Sequence, residues 1–242
     1  MSVQNRLSTD RKPFQPQTLD DAAVEQFISQ LQQRLTHDLP GRRALRYRSP
    51  QLSYGRHCGP APRTARQAAV VVMLLWSDGG WTVPLTKRPL SIKHHGGQIC
   101  LPGGRIEPNE STIEAALREF EEELGICPLQ PELCGELSPL YVYASDNLVH
   151  PVVMACRRPE SPWVPDRIEV DEVVEVPLEH LREPGHWQDR LLQRPIRRVS
   201  GNPEIPPPLR FVASGLRYQQ HWVWGATGMI LAELAECLPP QS

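Results

Sequence analysis

Three glutamates, Glu119, Glu122 and Glu123, stand three residues and then one residue apart. On a helix, positions i, i+3 and i+4 share one face, so this spacing brings three carboxylates together. With Glu121 they crowd the turns just before Gly125, where the helix macrodipole is already negative. Each acid so placed costs roughly 0.3–1 kcal/mol, and like-charge neighbours add to that. A sequence selected for stability alone would carry Lys or Arg there, and broken local rules tend to mark functional sites. A hard divalent cation removes the conflict, because Mg²⁺ or Mn²⁺ takes oxygen ligands. Arg118 is placed to hold one carboxylate in orientation. Taken alone, the three glutamates describe a solvated acidic face better than a metal site. Two upstream features shift the balance. Gly103 and Gly104 let the backbone approach a ligand closely, and Pro102 stiffens the entry to that turn.

The helix itself is well specified. Ser111 and Glu114 form a capping box, so a helix is expected over Ser111–Leu124. Ile113, Ala116, Leu117, Phe120 and Leu124 recur at helical spacing as its buried stripe. Gly125 supplies the left-handed C-terminal cap.

Around this segment the chain reads as alternating strands and helices. Residues 1–17 read as a disordered lead-in. A helix is expected from Leu19, capped by Thr18, with Val24, Phe27, Ile28, Leu31 and Leu35 on one face. His37 to Arg66 reads as an irregular basic arm, in which Arg42, Arg43, Arg46 and Arg48 read better as a solvated surface than as a phosphate grip. Ala68–Trp76 is a buried strand that turns at Ser77-Asp78-Gly79-Gly80 into Trp81–Lys87. Pro84 puts that second strand at an edge or a bulge. A glycine-rich loop, Gly96 to Gly104, leads to the acidic helix. Pro139–Tyr143, Val149–Cys156 and Val170–Val176 read as further strands, 182–208 as a proline-rich excursion, and Thr227–Leu238 as a closing helix. This order gives a mixed α/β (α+β) architecture, a sheet covered by helices. Residues 1–66 form an N-terminal extension and residues 67–240 the catalytic domain.

The composition excludes several function classes. A net charge of −2 over 242 residues gives no broad electrostatic reason to bind nucleic acid or an anionic membrane. The longest apolar run, Ala68 to Trp76, has the length of a strand rather than a membrane span. Six cysteines show no tight pairing framework, and Met1 to Gln17 is not a charged-then-apolar leader. Free thiols in a reducing cytoplasm are therefore expected. A homodimer through a sheet edge stays open.

Gly104, five residues, Glu110, seven residues, then Arg118 to Ile126 fills every specified position of G-x5-E-x7-R-E-U-x-E-E-x-G-U. The chain thereby resembles the Nudix hydrolases. The resemblance implies a mixed sheet between helices with this motif as loop and helix. It also implies metal binding by Glu119, Glu122 and Glu123, with water attacking a diphosphate phosphorus. The stretch before the motif, Leu85 to Gly104, is similar to the signature of coenzyme A pyrophosphatases. Thr86, Arg88, Gly97, Pro102, Gly103 and Gly104 match in register, with His95 and Gln98. Departures fall at Pro84, Pro89, Lys93 and Leu101, and Lys93 lacks the bidentate fork of the usual arginine. Ser145 to Val152, Glu169 to Leu178 and Trp224 to Thr227 continue the similarity.

That family splits the pyrophosphate of CoA into 3′,5′-ADP and 4′-phosphopantetheine. Arg88 and Lys93, flanking the glycine loop, are the candidate cations for substrate phosphates, with Gly103 and Gly104 as close-approach positions. Glu169 and Glu172 lie where some Nudix enzymes carry an extra ligand or base. His95 is expected to bond within its loop rather than to metal. Trp222 and Trp224 are expected to be core rather than an adenine platform. The rival readings are a Nudix enzyme for ADP-ribose or another nucleoside-diphosphate-linked substrate, and a non-catalytic nucleotide-binding regulator.

Overall fold

The computed structural model describes residues 21–37, 39–51, 60–78, 80–92, 96–194 and 208–240. The lead-in, the Thr18 cap, Lys93, His94 and His95 lie outside these residues.

Two strands form the spine of the sheet. Strand β1 (Arg66–Ser77) lies parallel to β7 (Asn147–Arg157), in register from Arg66↔Asn147 to Trp76↔Arg157. Alternation along β1 sends its side chains to two different cores, as a strand buried on both faces requires. Ala69, Val71, Met73 and Leu75 pack with Phe120 and Leu124 of α3 (Thr112–Leu124). Val72 and Leu74 face the opposite layer, with Val24, Ile28, Leu31 and Leu35 of α1 (Asp21–His37) and Ile230, Leu231 and Leu234 of α5 (Gly225–Cys237). The expected apolar face of α1 is therefore a structural part of the main core.

Strand β2 (Gly80–Lys87) pairs antiparallel with β8 (Glu172–Pro177) over Thr82–Lys87. Its other flank meets β1 at Thr82 and β3 (Ile99–Cys100) at Thr86 and Lys87. The edge position expected from Pro84 is corrected: β2 is internal. Its proline falls in the gap between the β1 and β3 pairings, where no partner needs its missing N–H.

The glycine loop is less irregular than its composition suggests. It contains β3 and β4 (Gly103–Arg105), and β4 pairs with β1. Strands β5 (Glu132–Glu136) and β6 (Leu140–Val142) both pair with β7. After the short helix α4 (Leu178–Arg182), the expected proline-rich excursion instead enters β9 (Trp187–Arg194). Together with β10 (Leu209–Tyr218) and β11 (His221–Trp224) it makes a separate antiparallel sheet. Here Trp222 and Trp224 stack at 5.6 Å, with Arg190 over Trp222.

Part of the basic arm is helical. Arg42–Arg48 forms a helix, α2, which buries Ala44 and Leu45 while α2 packs on α5. Tertiary packing decides this, since seven residues are too few for an independent helix. Glu233, fully buried on α5, accepts from the backbone N–H of Gly41 (2.9 Å) and Ser138 (3.1 Å) and so fixes the entry to α2.

Among the described residues no helix is long and apolar enough to cross a membrane. Among the described residues Cys100, Cys127, Cys134, Cys156 and Cys237 are free thiols, and Cys58 lies outside these residues.

Candidate active site

Helix α3 begins and ends where local chemistry requires. The Ser111 side chain accepts from the Glu114 N–H at 3.2 Å, and Glu114 returns a bond to the Ser111 N–H at 2.8 Å. Gly125 closes the helix at φ 67°, where its N–H reaches the Glu121 carbonyl. A Cβ there would come within 2.0 Å of the Val164 carbonyl oxygen, so glycine is needed for space as well as conformation.

That close approach brings a second segment to the site. The Val164 N–H donates to the Leu124 carbonyl at 3.1 Å and the Asp166 N–H to the Glu123 carbonyl at 3.2 Å. Both satisfy carbonyls that a helix end leaves without internal partners. The segment thus tied down delivers Asp166 and Glu169 opposite the helix glutamates. Glu119, Glu122, Glu123, Asp166 and Glu169 line one pocket of about 300 Å³.

The carboxylates differ sharply in environment. Glu123 is only 4% exposed, on the sheet side of the helix rather than on a solvated face. Its oxygens accept from the Thr86 hydroxyl at 3.1 Å and, more weakly, from the Gly103 N–H at 3.4 Å. Burial dominates over these bonds and over the Arg88 charge, and pushes its carboxyl up to about 7. Burial also raises Glu119, against the pull of Arg118. Glu122 is the outer member, its side chain 60% exposed.

Arg118 organises the cluster. It grips Glu110 through two contacts at 2.8 and 3.2 Å and donates to the Arg105 carbonyl. Its remaining terminal nitrogen reaches Glu119 at 2.9 Å and Glu122 at 3.2 Å. The fork geometry of a guanidinium suits this multiple grip. Arg118 touches these acids and does not itself line the pocket. The Glu110 carboxyl is held below its ordinary value, chiefly by this arginine.

The two glycines have different neighbours from those expected. A Cβ on Gly104 would lie 2.1 Å from the Glu119 carboxylate, so the missing side chain makes room for a pocket acid. A Cβ on Gly103 would strike the Ala69 carbonyl of β1 at 2.3 Å. Arg88 follows β2, with its backbone paired to Gln98 at 3.0 Å and its charge felt by Glu123 and Cys100. Lys93 lies outside the described residues.

Glu169 and Glu172, grouped by sequence, part company in the fold. Glu169 lines the acidic pocket. Glu172 instead pairs with Lys87 at 3.3 Å and His221 at 3.2 Å. Asp166 was missed because nothing in its spacing links it to the helix.

Hard oxygen donors alone suit a cation such as Mg²⁺ or Mn²⁺, and a buried glutamate with a raised pKa gains from one. Glu119, Glu122 and Glu123, with Asp166 and Glu169 across the pocket, are the residues that would hold it. Among the described residues no three donors already converge as a closed cation cage. Arg118 holds Glu119 and Glu122, and Thr86 holds Glu123.

The NUDIX domain family matches residues 65–194, more than half of the chain. Nudix hydrolase 3 of Caenorhabditis elegans is 36% identical over 115 residues, 47% of this chain and 48% of that protein. The chain therefore spans about half the length of that relative. An uncharacterized Nudix hydrolase, NudL of Salmonella newport, is 34% identical over 171 residues, 70% of this chain and 81% of that protein. Among solved structures, a MutT/nudix family protein from Enterococcus faecalis aligns over 90% of this chain and 73% of its own, at 17% identity and a TM-score of 0.45. With the motif filled at every specified position and the domain match spanning it, the chain belongs to the Nudix hydrolase family.

Proposed function

We propose that the chain is a divalent-metal pyrophosphohydrolase of nucleoside-diphosphate-linked substrates, and that its substrate is coenzyme A or a derivative. The observation that carries the first part is the pocket of five carboxylates at the end of α3. Such a pocket repels a diphosphate unless a cation intervenes. When bound, Mg²⁺ or Mn²⁺ supplies Lewis-acid polarisation of phosphoryl oxygens and lowers the pKa of a bound water.

The chain's own residues divide the remaining work. Arg118 keeps Glu119 and Glu122 at the mouth of the pocket, and Thr86 keeps Glu123 at its buried end. Glu169 lines the pocket and enters no ion pair among the described residues, which leaves its carboxylate available to take a proton from water. Arg88, beside the buried end, supplies positive charge for a substrate phosphate, and Lys93 is the second cation for that role.

The CoA reading rests on the signature from Leu85 to Gly104 that precedes the motif. Water would add to one phosphorus of the pyrophosphate as the anhydride P–O bond breaks, giving 3′,5′-ADP and 4′-phosphopantetheine. The test is mass spectrometry of products from CoA, acyl-CoAs, ADP-ribose and NADH, each with Mg²⁺ and with Mn²⁺. CoA or an acyl-CoA should be cleaved to 3′,5′-ADP. Cleavage of ADP-ribose without cleavage of any CoA would overturn the substrate and keep the pyrophosphohydrolase. No cleavage of any of them with either metal would favour a nucleotide-binding regulator.

A further inference from the structure

A concavity larger than the carboxylate pocket lies elsewhere among the described residues and has the opposite charge. A groove of about 960 Å³ runs between α2 and the β9–β10 hairpin. That is the size of a small-molecule site. Its helix packs on α5, in the layer across the β1–β7 sheet from α3.

Helix α2 is two-sided. Ala44 and Leu45 are buried. Arg43, Arg46 and Tyr47, at i, i+3 and i+4, share the outer face and line the groove. Arg48 turns to the hairpin. Its guanidinium lies 4.6 Å from the centre of the Trp187 ring and 4.8 Å from that of Tyr47, and it donates to the buried Ser214 hydroxyl at 3.0 Å. These contacts fix the third cation in place before any ligand arrives.

The charge of the groove is not neutralised from within. Three arginines face one lining carboxylate, Asp189. Arg43 is 84% exposed and reaches Glu236 only at 3.6 Å. Arg46 and Arg48 enter no ion pair among the described residues. A solvated arm explains the arginines but not Tyr47, a residue 78% exposed. An aromatic face beside guanidinium groups suits a planar base linked to a phosphate.

We propose that this groove is a second nucleotide site, binding a mononucleotide without a divalent cation, with Arg43 and Arg46 on the phosphate and Tyr47 under the base. Unlike the carboxylate pocket, it meets an anion with positive charge and needs no metal between them.

Calorimetric titration of the full chain with adenosine 5′-monophosphate and with ribose 5-phosphate tests this, each in EDTA and in Mg²⁺. The nucleotide lacks an anhydride, so it reports binding alone. It should bind in EDTA, and R43A/R46A should weaken it by roughly tenfold or more, as expected for lost charge-assisted contacts. Y47A should reduce it to the affinity of ribose 5-phosphate while leaving ribose 5-phosphate unchanged. All three side chains are exposed, and circular dichroism checks that the variants remain folded. Binding that requires Mg²⁺, or that ignores R43A/R46A, would overturn the site. Equal affinity for the two probes would overturn the base contact, and far tighter binding of single-stranded RNA would make the groove a nucleic-acid surface instead.

Discussion

The pocket at the end of α3 gathers five carboxylates, and the groove at α2 gathers three arginines and one. They lie in opposite layers of the fold, and the arginine that anchors each is held at a different range. In the pocket, Arg118 meets Glu110 at a separation of eight residues and Glu122 at four. In the groove, Arg48 meets Ser214 across 166 residues. Local spacing on α3 places three like charges together, Arg118, Thr86 and the Gly103 N–H hold them, and Asp166 and Glu169 join them from a distant segment. In the groove the hairpin orients only Arg48, and Arg43 and Arg46 stay outside it. The difference is one of stored conflict: the pocket contains repulsion that a cation relieves, and the groove contains unused attraction.

The strongest way to break that comparison is Glu123→Gln. It removes the buried carboxylate while keeping nearly the same shape and the chance of bonding to Thr86. If the pocket holds the catalytic cation, turnover at saturating Mg²⁺ should fall about a thousandfold, equivalent to several kcal/mol of transition-state stabilisation. Steady-state kinetics checks this, and near-normal turnover would remove Glu123 from the metal site.

The same residue gives the next largest effect, on stability rather than rate. Glu123 is raised to about 7 from an ordinary carboxyl value of 4.5. Between those values the folded chain binds more protons than the unfolded one. Metal-free protein should therefore lose stability as pH rises through this window, by on the order of 3 kcal/mol from this group. Denaturant unfolding from pH 4.5 to 8 should show that fall in the wild type and a smaller one in Glu123→Gln. Saturating Mg²⁺ should offset it in the wild type. Equal pH dependence of the two metal-free proteins would show that the buried carboxylate carries no such conflict.

A smaller effect is expected at the other region. Glu233 is the buried acceptor for Gly41 and Ser138, and Glu233→Ala leaves both N–H groups without it. The cost should be about 1–3 kcal/mol in denaturant unfolding. Hydrogen exchange should quicken over residues 39–48 and hardly change over Thr112–Leu124. Equal quickening in both would mean that α2 and α3 open together.

What the sequence made legible follows the same division. Helix α3 carries its own start, stop and apolar stripe between Ser111 and Gly125, so its extent and its acid cluster could be read directly. The stripe was incomplete, since Ala115 and Glu123 are buried while Ile113 and Leu117 only pack at its margin. The sequence groups Glu123 with Glu119 and Glu122 on one helix face, but its burial and its bonds to Thr86 and Gly103 come from the sheet on which α3 packs. Asp166 enters the site because the carbonyls of Leu124 and Glu123 need donors, and no pattern says which segment will supply them. Strand β9, with the polar sequence WQDRLLQR, shows no clean alternation and is defined by its pairing with β10. Helix α2 has only Ala44 and Leu45 as apolar anchors, and its arginines mask them. Strand β5 exposes Leu133 and buries Cys134, the reverse of what hydropathy suggests.

The smallest effect sharpens the comparison from the local side. The Ser111 side chain accepts one of the orphan N–H groups of α3 and is the fixed half of the capping box. Ser111→Ala removes that acceptor and, with it, the reason for Glu114 to stay folded back. Caps of this kind contribute typically about 1 kcal/mol. For a chain of this size that corresponds to a fall in melting temperature of about 2–4 °C. The far end of the helix is held separately, by Gly125 and by the Val164 and Asp166 N–H groups, so fraying should stop within the first turn. Thermal denaturation measures the loss, and hydrogen exchange at Thr112–Ala115 against Phe120–Leu124 locates it. Exchange that rises equally at both ends would mean that the carboxylate pocket depends on its helix start, and that local assembly extends over the whole of α3.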